Sequence, residues 1–400
     1  MSARQVLGSL VRTSQHSLLK SGWSHVSVES PNLIEYSTLW ESMKDEIAEY
    51  PESSSEDEQA DSDEMPPGEL VMMGFNAAAI DLSQYHPPVA HVFRLWQIFL
   101  ENVNPLVKIF HAPTVQEMIT LASGDLETLS KPNEALLFAI YFLSTLSLEP
   151  QECEEFFGES QQKLLARYCR AVQQALVNAK LLRTMNLTTL QAFILYLLGC
   201  RRLYDAHTVW SLSGLAVRVA QRMGIHTNAG VARFPPFDAE MRRRTWWQLV
   251  FLEGHSSKLA GAAFPVWVTK FDSQMPANLS DSELSPTMSE LPASKGGLTE
   301  MMMCSMRHET ISLLRNAPVF VKTNPDGTTR DCTTAELIEL KDKAIVELQQ
   351  RLQEKFIQYC DPSVPIQFVM VSSYHSLYNT KSLRFEHLVY LVEGLKSVIT

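Results

Sequence analysis

The run from Leu187 to Ala262, LTTLQAFILYLLGCRRLYD followed by AHTVWSLSGLAVRVAQRMGIHTNAGVARFPP and FDAEMRRRTWWQLVFLEGHSSKLAGA, holds three helix signals, a tight loop and a cluster of arginines and tryptophans. In the middle segment Leu212, Leu215, Ala216, Val219, Ala220 and Met223 recur at steps of three and four, an apolar stripe opposite Arg218, Gln221 and Arg222. Gly224 stands where a helix stop belongs. Pro235 and Pro236 exclude a continuous helix through the loop, and Asp238 is the expected cap of the next one.

That third helix carries the candidate site residues Glu240, Arg242, Arg243, Arg244, Trp246 and Trp247. Glu240 precedes Arg243 by three and Arg244 by four, the favourable acid-first order for ion pairing along a helix. Arg242 and Arg243 each lie four residues before a tryptophan, which predicts guanidinium over indole. Met241, Thr245, Leu249 and Leu252 form the predicted inward seam. Adjacent helical residues point about 100° apart, so one tryptophan is expected at an edge or lining a cavity. Either the arginines knit helices together through carboxylates while the tryptophans fill the core, or part of the cluster lines an effector cavity or an inhibitory interface.

GLAVRVAQRMGIH, a short loop and FDAEMRRRTWWQLVFLEG resemble the middle homology region of fungal zinc-cluster transcription factors. FRLWQIFLENVNPLVKIFHAPT from Phe93, NEALLFAIYFLSTLS from Asn133 and NLSDSELSP from Asn278 are similar to successive blocks of it. The resemblance covers roughly Pro87 to Phe368, with Glu253 where the family usually shows aspartate. It implies an all-α, multihelical regulatory domain of a nuclear transcription regulator, and divides the chain into an N-terminal region (1–86), the middle homology domain (87–368) and a divergent C-terminal helical segment (369–400). The family pattern runs on with further helices, whereas here one amphipathic segment, Leu383 to Val398, precedes Thr400.

With 400 residues, 45% of them hydrophobic, the chain can bury a large core. The net charge of −11 is concentrated, since Glu52 to Glu69 holds eight acids and no base and leaves about −3 for the rest. A nearly balanced body gives no electrostatic reason to expect nucleic-acid binding. The family's DNA-binding module packs six cysteines into a short zinc knot. The six cysteines here, at 153, 169, 200, 304, 332 and 360, include no C-x-x-C and cannot form it. They read as reduced, buried thiols. The longest apolar stretch, Ala135 to Leu148, is too short to span a bilayer. The first twenty residues, with Arg4, Arg12, Lys20 and no acid, share the composition of a mitochondrial presequence, a pattern common among short basic segments.

Along the chain, Leu33 to Tyr50 mixes acids with bulky apolars, as an activation segment or an amphipathic helix does. Residues 51–69 are too charged to offset the entropy of ordering them, and read as a disordered linker. The helical body starts at Pro87 and Pro88, with Leu95, Trp96, Phe99 and Leu100 inward. Helices are predicted at Asn133 to Leu148, at Ser160 to Arg183 with Leu164, Leu165, Tyr168, Val172, Leu176 and Leu182 inward, and at Thr299 to Arg315. A further one starts at a Thr333/Glu336 capping box and runs to about Tyr359. Ala263 to Gly297 reads as an irregular excursion, and Met301, Met302, Met303 and Met306 as adaptable core filler. His86, His91 and His111 lack metal-ligand spacing.

No phosphate-binding glycine loop, G-x-S-x-G or H-E-x-x-H is present, and no catalytic, cofactor or metal residue is assigned. The reading is a regulator of a fungal gene set, of a metabolic or biosynthetic cluster for instance, in the nucleus. It acts through its helical domain, with a homo- or heterodimeric DNA-binding partner rather than specific DNA binding of its own. A small-molecule effector is a candidate ligand, and no membrane is involved. The alternatives are an ordinary zinc-cluster factor whose module lies upstream of this sequence, and an enzyme on a helical scaffold.

Overall fold

The computed structural model describes residues 81–124, 129–262, 271–316, 321–323, 329–331 and 334–379. The acidic linker, the basic N-terminal segment, Leu33 to Tyr50 and the helix expected at Leu383 to Val398 lie outside the described residues. Described residues form twelve α-helices and one two-stranded antiparallel hairpin, β1 (Val321–Thr323) with β2 (Thr329–Asp331). The contacts divide them into two units: the hairpin with the first part of the helix that follows, to Lys343, and all the rest.

Two helices apolar on every side make the centre of the larger unit. α3 (Lys131–Leu146) is buried without interruption from Glu134 to Leu146. α6 (Leu187–Cys200) begins at Asn186, whose side chain accepts from the N–H groups of Thr188 (2.8 Å) and Thr189 (3.3 Å), and is buried along almost its whole length. Helices without a polar face need neighbours all round. α3 is therefore packed against α6 and against α5 (Gln161–Asn178), and α6 also against α7 (Ala206–Arg222) and α9 (Pro236–Leu259). α3 and α6 approach so closely at Gly199 that a Cβ there would overlap the Phe142 ring.

The amphipathic helices close this centre. α1 (Val89–Ile98) buries Val92, Leu95 and Trp96 and continues into a π-helical turn, Phe99–Val103. α2 (Ala112–Ala122) follows, and α4 (Pro150–Phe157) starts with a Glu149/Glu152 capping box. Ser160 caps α5 and Asp205 caps α7, each accepting a backbone N–H. The stripe read on α7 is inward: Leu212, Ala216, Val219, Ala220 and Met223 are buried, and Gly224 ends the helix at φ 75°.

Sequence and structure part over α5. The predicted helix runs to Arg183, but α5 ends at Asn178, Lys180 takes a left-handed conformation at φ 55°, and a 3-10 turn, Leu181–Arg183, follows. Past this break Leu181 is buried and Leu182, expected inward, is 45% exposed. After a single turn of helix, α8 (Asn228–Val231), and then α9, the excursion is irregular from 271 to 301 apart from one 3-10 turn, Asp281–Glu283. α10 (Met302–Asn316) buries Met302, Met303 and Met306. α11 (Thr334–Lys355) buries Leu348 and Leu352 in the larger unit, and α12 (Pro365–Asn379) ends the described chain. The three histidines pack on separate rings: His86 on Phe138, His91 on Phe157 and His111 on Phe237.

Candidate functional site

α9 enters differently from the sequence reading. Pro235 is its N-cap and Pro236 its first residue, because a proline at N1 loses no helical hydrogen bond. Asp238 lies within the first turn instead of capping it, where its charge still suits the positive end of the helix. Its carbonyl accepts from Arg242 Nη1 (3.0 Å). The guanidinium of Arg242 lies over the Phe234 ring, 3.4 Å from its centroid, and not over Trp246. Phe234 ends the preceding loop and is half-buried, whereas Trp246 is fully buried.

Arg243 and Arg244 follow the predicted pairing. Glu240 Oε2 is 3.6 Å from Arg243 Nη1, and Oε1 is 3.5 Å from Arg244 Nε. These separations are ion contacts. The hydrogen bond that Glu240 accepts comes from Ala277 N–H in the excursion (3.0 Å). Arg244 is completely buried and reaches further, donating to Asp281 Oδ1 (3.0 Å) and to the Leu279 carbonyl (3.2 Å). Asp281 Oδ2 then receives Lys108 Nζ (2.6 Å) and the N–H of Ala112 at the start of α2 (3.0 Å), and Lys108 binds Glu300 as well (2.6 Å). His111 Nε2 contacts the Asp281 carbonyl (3.0 Å).

Three cations and three carboxylates therefore alternate through one chain of contacts, Arg243, Glu240, Arg244, Asp281, Lys108 and Glu300. It ties α9 and the segment before α2 to the excursion at Asp281 and at Glu300. Burial tends to raise the Asp281 carboxyl, but Lys108 and Arg244 outweigh it and hold it below the usual range. At Glu240 burial wins over Arg244 and Arg243, and the carboxyl is raised. The difference follows from geometry: Asp281 has two cations within 3.0 Å, Glu240 none nearer than 3.5 Å.

Neither tryptophan sits at an edge, as one of them was expected to do. Trp246 and Trp247 are both fully buried. A two-sided helix would leave one of them outside, but α9 is covered on its second side by the excursion, whose Phe271 meets both indoles edge-on at 5.4 Å. Trp247 Nε1 donates to the Gln274 carbonyl (2.8 Å) and its ring abuts His308 of α10. Trp246 packs near His226. Met241, Thr245, Leu249 and Leu252 are buried as expected, though as part of a helix buried nearly all round and not as a narrow seam.

Sequence reasoning missed Lys108, Asp281, Glu300 and His308. Lys108 did carry a signal, since a lone cation in NPLVKIFHAP has to find a carboxylate once that run is buried. Nothing in NLSDSELSP distinguishes Asp281 as the partner, which lies 173 positions away. Further along α9, Glu253 is buried and accepts from Ser213 Oγ of α7, and burial raises its carboxyl. Described residues also form a pocket of about 310 Å³, open to one side and lined by Met275, Asn278, Ser305, His308, Glu309 and Phe356 among others. None of the six motif residues from Glu240 to Trp247 lines it.

Comparison with known proteins gives a family match over residues 96–306, to the family described as Fungal specific transcription factor domain. The chain is 37% identical over 347 residues to the aurofusarin cluster transcription factor aurR2 of Gibberella zeae, covering 85% of this chain and 50% of that protein. It is 34% identical to the transcriptional regulator AacuB of Aspergillus aculeatus, over 75% of this chain and 40% of that one. The pyriculol/pyriculariol biosynthesis cluster transcription factor 1 of Pyricularia oryzae is 32% identical, over 82% and 45%. The chain thus spans about half the length of these relatives or less. No solved structure matches it significantly.

Proposed function

Because the chain belongs to the fungal specific transcription factor domain family, we propose that it regulates transcription of a fungal biosynthetic gene cluster, in the nucleus, through this helical body. The observation that carries the reading is the run of relatives named as cluster transcription factors or regulators, matched over three quarters or more of the chain. Contact with DNA falls to a partner chain or to a zinc module outside these 400 residues. Lys108, Arg243 and Arg244 are already paired with carboxylates, Arg242 lies against Phe234, and the cysteines within the sequence are too dispersed for a zinc knot.

In this reading Glu240, Arg243, Arg244, Trp246 and Trp247 are the scaffold that holds the excursion on the helical body, and Arg242 covers its outer side. The family and the named relatives favour regulation over catalysis, and the enzyme reading has no observation of its own.

Two measurements test the proposal. Fused to a heterologous DNA-binding domain in a fungal host, the chain should raise or lower a reporter bearing the cognate operator, and an inert fusion would count against it. In a mobility-shift assay at physiological salt the isolated chain should show no sequence preference; tight selective binding would show that DNA contact does not need a partner.

A further inference from the structure

The near-neutrality of the helical body conceals a segregation of charge. Residues 160–237 contain ten Lys and Arg and a single acid, Asp205. Asp205 caps the start of α7, about 25 Å from the other end of that helix, where Arg218 and Arg222 lie one turn apart and exposed. Arg222 reaches across to the 3-10 turn after α5: Nη1 donates to the Leu182 carbonyl (2.6 Å) and Nη2 to the Thr184 carbonyl (2.9 Å). Lys180 and Arg183, both exposed, flank the same turn. Among the described residues, none of these four cations pairs with a carboxylate.

Two large apolar side chains stand exposed among the cations, Leu182 (45%) and Met185 (60%). In a helix running on to Arg183, Leu182 belongs to the inward side. Here α5 has ended at Asn178, and Lys180 is the one non-glycine at positive φ among the described residues. A left-handed lysine and two exposed apolar side chains are each unfavourable, and such departures from local rules concentrate where a surface is used. The turn is nevertheless fixed. Leu181 is buried, Arg183 N–H donates to the Lys180 carbonyl (2.9 Å), Asn186 N–H donates to Thr184 Oγ1 (3.1 Å), and Arg222 clasps the two carbonyls. Leu182, Arg183 and Met185 are thus presented on an ordered backbone, which lowers the entropy lost when something binds there.

Cations alone fit carboxylates and phosphates alike, but the exposed leucine and methionine discriminate. A DNA backbone has nothing apolar to cover them, whereas a peptide that mixes acids with bulky apolar residues does. We propose that the face made by Lys180, Leu182, Arg183, Met185, Arg218 and Arg222 docks a segment of a partner protein in which carboxylates are interspersed with bulky apolar side chains. The apolar side chains of that segment cover Leu182 and Met185, and its carboxylates lie beside the four cations. The charges speed encounter, and the apolar contact sets how long the complex lasts. Docking here does not depend on how DNA is contacted, so its test stands or falls separately from the transcriptional reading.

Fluorescence anisotropy on the purified 400-residue chain tests this, with the labelled synthetic peptide LIEYSTLWESMKDEIAEY as probe. That sequence, the chain's own Leu33 to Tyr50, has the required chemistry, five acids among bulky apolar residues. The peptide should bind at one site, and about tenfold more weakly when its acids are replaced by amides or when Ile34, Leu39, Trp40 and Ile47 in it are replaced by serine. In the protein, Arg183→Glu with Arg218→Glu, and separately Leu182→Ser with Met185→Ser, should each weaken binding about tenfold, while Lys343→Glu, at an exposed cation outside this face, leaves it unchanged. These positions are exposed, so the variants should fold, and melting curves check that they do; the two pairs are independent, so either one decides if the other fails. A DNA duplex that competes as well as the peptide, with no effect of the Leu182 and Met185 pair, would make this a phosphate-binding face and overturn the proposal. An equal loss in Lys343→Glu would overturn it by showing diffuse attraction. No binding at about millimolar peptide would overturn it too, whether the face is inert or already covered by the chain's own acidic residues.

Discussion

Arg244 and Arg243 are neighbours with unequal roles. Arg244 is completely buried between Glu240 and Asp281, whereas Arg243 keeps about a fifth of its side chain exposed and touches one carboxylate. Removing one member of a buried ion pair strands the other, at a cost of about 3–5 kcal/mol, while a partly exposed pair contributes about 1 kcal/mol or less. Urea denaturation should therefore show Arg244→Ala losing several times more stability than Arg243→Ala; equal losses would mean that the network is not the anchor. Asp281→Asn strands Lys108 and Arg244 and should also cost about 3–5 kcal/mol at pH 7. Its pH dependence has a definite sign. The folded carboxyl is held below its unfolded value of about 3.9, so its contribution is fully present above that pH and is lost as pH falls through the lower folded value. The gap between parent and Asp281→Asn should stay constant from pH 8 to 5 and narrow only below about 4.

At the scale of elements, α9 and the excursion form one unit. Trp247 connects them through Phe271 and the Gln274 carbonyl, so Trp247→Ala should cost about 3–5 kcal/mol, and Trp247→Phe, which keeps a ring but drops the hydrogen bond, distinctly less. Protease cleavage within 271–301 should rise in parallel with the loss of stability; an excursion equally resistant in Trp247→Ala would separate the two. The α3–α6 contact gives a second test. Gly199 lets α6 approach Phe142, a fully buried ring with no room to move, and Gly199→Ala should destabilise by about 1–3 kcal/mol by overpacking, although alanine is the better helix former. A stabilised variant would show the approach to be looser. Helix spans were largely legible from apolar spacing, including the stop at Gly224. The early end of α5 was not, because Lys180 adopts a left-handed turn that no glycine announces.

For the whole molecule, cysteine chemistry reports on the packing. Cys153, Cys169, Cys200 and Cys304 are buried, and burial pushes the thiols of Cys153 and Cys169 up to about 11, so thiolate is scarce at neutral pH. With a thiol reagent in the native state, these four should react only at the rate of global unfolding and all six should react in denaturant. Rapid labelling of any of the four would reveal local opening.

Helical periodicity determined by itself that the body of this chain is helical, and the resemblance carried by the Leu187–Ala262 run and its flanking blocks pointed to the fungal transcription factor family. Periodicity also determined that Glu240 can reach Arg243 and Arg244, because such properties depend on neighbours within a turn or two of helix. Only the tertiary structure decided that both tryptophans are buried and that Lys108 and Asp281 complete the charge chain. Each of those outcomes depends on where the irregular excursion crosses α9 and α10, and a segment without periodicity carries no local signal of the surface it will cover.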